Sequence, residues 1–426
     1  MKNQLRTRIY VVLMLIVLGL SGCQSSIVSS SIEVVSSSVT SSNSQISSII
    51  ATSSVVSSSS SETSYESTSE ANSSSEITSS SQSSSEIDDS SYDVYAPIVS
   101  DRIKNVILFI GDGMGFEHIE AATLYKGTSL AIDSASLKTE MTTNSLSSGY
   151  TDSAAAATAM ATGTKVFNGS VRMNGTGQVL PNFIDQLNEV GVRSGFLTSD
   201  TLYGGTPAGF LSYATSRNNY ANIMANMTES KADLIMGIAP RDFDSLYETN
   251  FLSKGFTSIG KMSGLSKQHN RIISALPAIP AVGTGSSLDK LTTFALDFLD
   301  NNENGFFLGV EGAAIDHKAH DGLSEAMILE LLAMDQALEV ALKWASNRTD
   351  TAIIVTADHE TGGLLIDDGA NSENILSKMT WTTTTHTTSN VPFYCWGLTP
   401  DHYGKLTGVM DNTDVYHLTT SLLSNL

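Results

Sequence analysis

Four short apolar runs, each leading into glycine, acid or histidine, constrain this chain more than any other feature. Lys104–Ile110 leads into Gly111-Asp112-Gly113, and Phe306–Val310 leads into Glu311. Thr351–Thr356 leads into Ala357-Asp358-His359, and Arg193–Ser199 leads into a glycine-rich turn, Tyr203-Gly-Gly-Thr-Pro207. Runs of this length, rich in β-branched and aromatic residues and without polar alternation, read as strands of a parallel sheet buried on both faces. In open α/β sheets, ligands gather outside the carboxyl ends of the strands. Asp112, Thr206, Glu311, Asp358 and His359 all fall at or just past such ends. The sequence therefore predicts an α/β fold with a polar site along one end of its sheet.

The segment Gly309-Val-Glu-Gly-Ala-Ala-Ile-Asp-His-Lys-Ala-His320 is the densest in potential ligands. Asp316 and His320 are four apart, so on a helix they share a face and can grip one cation. Glu311 sits at the mouth of the preceding strand. A hard oxygen donor next to a mixed oxygen and nitrogen pair suits two different metals side by side. Further upstream, Gly149-Tyr-Thr-Asp-Ser-Ala-Ala-Ala-Ala-Thr-Ala-Met-Ala-Thr-Gly163 favours a helix, with Thr151, Asp152 or Ser153 able to cap its start. A serine there meets free backbone N–H groups and the positive end of the helix dipole, which suits an anion. Ser153 has no histidine beside it in the sequence, so activation of its hydroxyl falls to a metal.

Read together, six segments resemble, in order, the motifs of alkaline phosphatases. They are Gly111-Asp-Gly-Met-Gly115, Thr151-Asp-Ser-Ala-Ala155, Thr206-Pro-Ala208 with Thr215-Ser-Arg217, the Glu311–His320 segment, Thr356-Ala-Asp-His359 and His386-Thr387. The resemblance runs from about Lys104 to near the C-terminus. It implies a three-layer α/β fold, with a central, mostly parallel sheet and helices on both faces. It also implies hydrolysis of phosphate monoesters through a phosphoserine at Ser153, with two zinc ions and one magnesium ion per subunit. Asp316, His320 and His386 match one zinc site, and Asp112, Asp358, His359 and Ser153 match the other. Asp112, Thr206 and Glu311 match the magnesium site. Arg217 matches the guanidinium that clamps phosphate, with Asp152 orienting it. His317 is implied to contact the phosphate through water or to approach the third metal. The chemistry agrees with these roles, because nitrogen and carboxylate donors suit zinc while an all-oxygen set suits magnesium. In-line phosphoryl transfer needs charge stabilised on both the entering and the leaving oxygen. One position departs from the pattern. Two residues before Thr206, where many relatives carry aspartate or histidine, stands Gly204, which predicts weakened support for magnesium.

The N-terminus gives an address. Lys2, Arg6 and Arg8 precede a short apolar stretch, Ile9–Leu20, which reads as a signal peptide and is too short for an ordinary membrane span. It ends in Leu20-Ser-Gly-Cys23, which resembles the lipobox of bacterial lipoproteins and implies acylation of Cys23. Residues 1–22 are then the lipoprotein signal peptide, and 23–91 a serine-rich tether that begins at lipidated Cys23. Residues 92–426 form the catalytic domain, outside the cytoplasm and anchored to the membrane by lipid. Half of residues 24–91 are serine, eight are acidic and none is Lys or Arg, a composition that cannot bury a core. As a flexible coil it would span about 45 Å. Of two cysteines, only Cys395 then remains as a free thiol, read as an apolar filler of a strand.

A formal net charge of −21 argues against nonspecific nucleic-acid binding and suits small phosphate esters drawn to a locally positive metal site. His118, His269, His402 and His417 lack ligand-like neighbours and read as core or surface histidines. Leu323–Leu342 reads as a helix covering the sheet. Two rival functions remain at this stage: a phosphodiesterase or sulfatase on the same metal-bearing fold, and a phosphate- or metal-binding lipoprotein. The Thr-Asp-Ser and Thr-Ser-Arg motifs and the third-metal residues favour the monoesterase over the first, and the second leaves Ser153 and the double metal cluster without purpose. The oligomeric state is left open, a homodimer being one option.

Overall fold

The four predicted strands lie side by side at the centre of a ten-stranded sheet. The computed structural model describes residues 95–279 and 287–423; the signal peptide, Cys23 and the tether lie outside the described residues. In chain order the strands are β1 Asn105–Gly111, β2 Leu137–Thr142, β3 Arg193–Thr201, β4 Leu234–Ile238, β5 Thr257–Ile259, β6 Ile272–Leu276, β7 Phe306–Gly312, β8 Thr351–Thr356, β9 Leu364–Ile366, β10 Met379–Trp381, β11 Val391–Trp396 and β12 Met410–Asp411. The main sheet runs β12-β2-β11-β8-β1-β7-β3-β4-β6-β5, and β9 pairs with β10 in a separate ribbon. From β8 to β5 every pairing is parallel, whereas β11 runs antiparallel to both β8 and β2.

Every residue of β1, β7 and β8 is buried. Because successive side chains point to opposite faces, both faces of the central sheet must be covered. The long helix Ser324–Ala345 packs on β1, β7 and β8, and the helix Asp414–Leu423 also reaches β1. Each large side chain buried this way, such as Phe109 or Phe307, contributes about 1.5–3 kcal/mol. Among the described residues no helix is long and apolar enough to cross a membrane.

Register carries the site. Ile110 pairs with both Glu311 and Thr356, and Glu311 pairs with Thr198. The carboxyl ends of β8, β1, β7 and β3 therefore line up on one edge of the sheet. Two helices bring further groups to that edge. After the first helix, α1, Phe116–Lys126, comes α2, Ser153–Thr162, in which all ten residues are buried, so this alanine-rich helix is an internal element whose N-terminus opens on the site. A shorter helix, Gly205–Leu211, lies tightly against it, since a Cβ on Gly209 would sit 2.6 Å from that of Ala157. That close approach holds Thr206 near Ser153.

Candidate metal and phosphate site

Ser153 is the first residue of α2 and is 3 % exposed. Of the three possible caps, Asp152 takes the position: its Oδ1 accepts the Ala155 N–H at 2.9 Å. Its Oδ2 accepts the Gly169 N–H at 2.9 Å and Arg217 Nη1 at 3.2 Å. The backbone N–H of Arg217 donates in turn to the Gly169 carbonyl at 2.7 Å. One carboxylate thus fixes the helix start, the 169 loop and the guanidinium together. Burial works against the charge on Arg217, but Asp152, Asp112 and Asp358 outweigh it and hold its pKa above the usual value. Gly205 makes room for this arrangement, because a Cβ there would lie 2.8 Å from Arg217 Nη2 and 3.1 Å from the Ala154 nitrogen.

Next to the serine, Asp316, His320 and His386 form a triangle. His320 Nε2 lies 3.3 Å from Asp316 Oδ1 and 3.1 Å from His386 Nε2, which is 3.7 Å from the same Asp316 oxygen. The opposite nitrogens are committed: His320 Nδ1 lies 2.6 Å from the Thr384 carbonyl and His386 Nδ1 lies 2.7 Å from that of Thr151. A carbonyl only accepts, so both Nδ1 atoms carry the proton, and the facing Nε2 atoms present lone pairs in the neutral rings. Two lone pairs and a carboxylate turned toward one point repel unless a cation lies between them. The donor set is that of a zinc site.

The His359 ring stacks on His386 at 3.5 Å and joins this triangle to a second cluster. Its Nδ1 lies 3.2 Å from Thr361 Oγ1, whose own proton goes to Asp316 at 2.6 Å. His359 Nε2 is thereby left as an acceptor. It faces Ser153 Oγ at 3.2 Å, Asp358 Oδ2 at 3.2 Å and Asp112 Oδ1 at 3.7 Å. Burial, then the neighbouring His386, pushes the His359 pKa well down. Burial raises Asp112 well above the carboxylate range, with Asp358, Asp316 and Glu311 adding to the shift. Glu311, 1 % exposed and hydrogen-bonded by the Thr198 hydroxyl, is raised to about 8 by burial and then by Asp200. Three buried oxygens here, Asp112 Oδ1, Asp358 Oδ2 and Thr206 Oγ1, have no hydrogen-bond partner. Unsatisfied buried acceptors among crowded carboxylates fit bound cations, which would reverse these shifts.

A family model described as alkaline phosphatase matches residues 103–241 and 279–375, which is more than half of the chain. The chain belongs to the alkaline phosphatase family. It is similar to alkaline phosphatase 4 of Bacillus subtilis, 30 % identical over 297 residues that cover 64 % of each chain. The matched region thus spans less than two thirds of that relative's length. Among solved structures, the cold-active alkaline phosphatase of a psychrophilic Shewanella is 27 % identical with a TM-score of 0.68, over 75 % of this chain and 99 % of that one. A variant of the alkaline phosphatase TAB5 with magnesium in its M3 site shares the fold at 24 % identity and a TM-score of 0.69, over 78 % of this chain and 99 % of that one.

In this family member, the side chains singled out from the sequence converge on one end of the sheet, with one exception. His317 is exposed on the helix Ala314–His320. The spacing that aligns Asp316 with His320 turns His317 about 100° away. Two residues that bind the site together carried no signal as ligands. Thr361 links Asp316 to His359, and Thr198 holds Glu311. Thr361 falls two residues after His359, in a turn that reads only as glycine-rich. Of the histidines set aside, His118 is fully buried and His402 is tied to Thr399 and the Ser100 carbonyl. Cys395 is a buried residue of β11 whose thiol pKa is pushed up by burial.

Proposed function

We propose that this chain hydrolyses phosphate monoesters by way of a phosphoserine on Ser153. The observation that carries the reading is the position of Ser153 Oγ, at the buried N-terminus of α2 and 3.2 Å from the acceptor nitrogen of His359, with Arg217 tied to the adjacent Asp152. Asp316, His320 and His386 would hold one zinc, and Asp112, Asp358, His359 and Ser153 the other. Asp112, Thr206 and Glu311 would hold magnesium. When bound, such cations lower the pKa of the serine hydroxyl and stabilise charge on the entering and leaving oxygens. Arg217 forks onto two nonbridging phosphate oxygens, a bidentate contact that lysine could not make. Asp152 keeps that fork in plane. Ser153 Oγ bonds to phosphorus as the ester oxygen leaves on the opposite side; water then displaces the serine oxygen and inorganic phosphate departs.

The test is hydrolysis of a chromogenic phosphomonoester by the full chain supplied with zinc and magnesium, beside the matching diester and sulfate ester. The monoester should turn over far faster than either. A preference for the diester or the sulfate, or binding of phosphate without turnover of any of the three, would overturn the reading.

We also propose that the enzyme works outside the cytoplasm, tethered through acylated Cys23; the support is the charged, apolar and Leu-Ser-Gly-Cys order of the N-terminus. Cys23→Ser should shift the protein from the membrane fraction to the medium or leave its signal uncut. A membrane-bound variant with a processed N-terminus would count against the anchor.

A further inference from the structure

Residue 204 is glycine although its backbone does not require one. Its φ of −51° and ψ of 159° suit any L residue. The constraint is spatial: a Cβ there would lie 2.5 Å from Asp200 Oδ2 and 3.1 Å from the Thr201 carbonyl. Asp200 sits at the carboxyl end of β3, where pairing with β4 slips. Leu197 pairs with Met236, yet Thr201 pairs with Ile238, so four steps along β3 answer two along β4. Bulges of this kind re-aim side chains beside active sites.

Local hydrogen bonds fix the direction. The Asp200 N–H donates to Thr198 Oγ1 at 2.9 Å, and that hydroxyl donates to Glu311. The Thr201 N–H donates to Asp200 Oδ1 at 2.6 Å, which leaves Oδ2 over Gly204. Asp200 is also the charged group that acts most strongly on buried Glu311. Asp200 is thus one hydroxyl away from Glu311, and acids placed so near each other disfavour a second negative charge unless a cation sits with them. Two further buried oxygens close by, Thr206 Oγ1 and Asp112 Oδ1, have no hydrogen-bond partner.

We propose that Asp200 is an additional oxygen donor of the magnesium position formed by Asp112, Thr206 and Glu311, admitted there because residue 204 lacks a side chain. This inference rests on the assignment of those three residues to magnesium. It replaces the expectation that Gly204 leaves the site short of carboxylate support, since the carboxylate arrives from four residues upstream. A third carboxylate also biases the position toward hard, oxygen-seeking cations.

The test is equilibrium dialysis of the zinc-loaded full chain against magnesium, read by elemental analysis. Asp200→Asn, which keeps shape and an acceptor for Thr201, should weaken magnesium binding by about 10–100-fold while zinc content is unchanged. Gly204→Ala, with Asp200 intact, should also weaken it, because the new methyl displaces Oδ2; this variant carries the test if Asp200→Asn misfolds. Combining Asp200→Gly with Gly204→Asp should recover much of the affinity, which a merely structural role for Asp200 would not allow. Wild-type affinity in Asp200→Asn would overturn the role of Asp200 alone. A wild type that takes up zinc but no magnesium would overturn the proposal together with the magnesium assignment itself.

Discussion

Replacing Ser153 with alanine should lower turnover of a phosphomonoester by about 10³-fold or more, the order lost when the nucleophile leaves a preorganised site. The reason lies in how few alternatives surround it. Ser153 Oγ stands at the mouth of α2, where the free backbone N–H groups of a helix start and Arg217, tied to Asp152, suit an anion. Without that oxygen, covalent capture of phosphorus stops, and only direct attack by water remains. The fold should survive. Alanine is a strong helix former at this buried first position, and the cap is made by Asp152, which is untouched. Zinc content should hardly change, because nitrogen and carboxylate donors supply most of both clusters. The measurement is acid-quench trapping of labelled phosphoenzyme alongside steady-state rates. A variant that still traps label at the wild-type level would remove Ser153 from the nucleophile's role.

The central strands could be read from the chain because strands buried on both faces leave continuous apolar runs, and β1, β3, β7 and β8 each have one. The candidate ligands could be read because the sheet end is where such a fold displays them. Strand β2, Leu-Lys-Thr-Glu-Met-Thr, one in from the sheet's edge, gives no such signal: it is mostly part-exposed and carries charge, so nothing in its pattern separates it from a loop. Thr198 gains its role only from register, which sets it opposite Glu311 across the β3–β7 pair. Thr361 gains its role from partners on two different segments. Gly204 shows the same limit from the other side. The sequence shows only a missing side chain, whereas the structure places Asp200 Oδ2, at the bulge in β3, where a Cβ of residue 204 would stand.

Stripping the metals should cost activity and should also make stability fall as pH rises from about 6.5 to about 8, a fall the metal-loaded protein lacks. The sign follows from proton counting. Burial raises Glu311 from an ordinary 4.5 to about 8 in the folded, metal-free chain, and it raises Asp112 and Asp358 as well. Within that window the folded state holds protons that the unfolded state has released, so raising the pH favours unfolding. The contribution of these groups is fully present below the unfolded carboxylate range and is lost as pH passes the folded values. Two histidines act oppositely at lower pH. His118, lowered to about 4 by burial, and His359, lowered well below its ordinary value by burial and then by His386, are neutral when folded and take up protons on unfolding below about 6.5. Those effects cancel part of the carboxylate slope in acid and fade as pH rises through the ordinary histidine value, so that toward about pH 8 the carboxylates act alone. Bound cations would keep the same carboxylates ionised, which removes the slope. Thermal melts of chelated and reloaded protein should therefore separate progressively from pH 6.5 to 8.5, by a few kcal/mol at the upper end. Parallel melting curves for the two forms across that range would mean that the buried carboxylates are not held apart by cations.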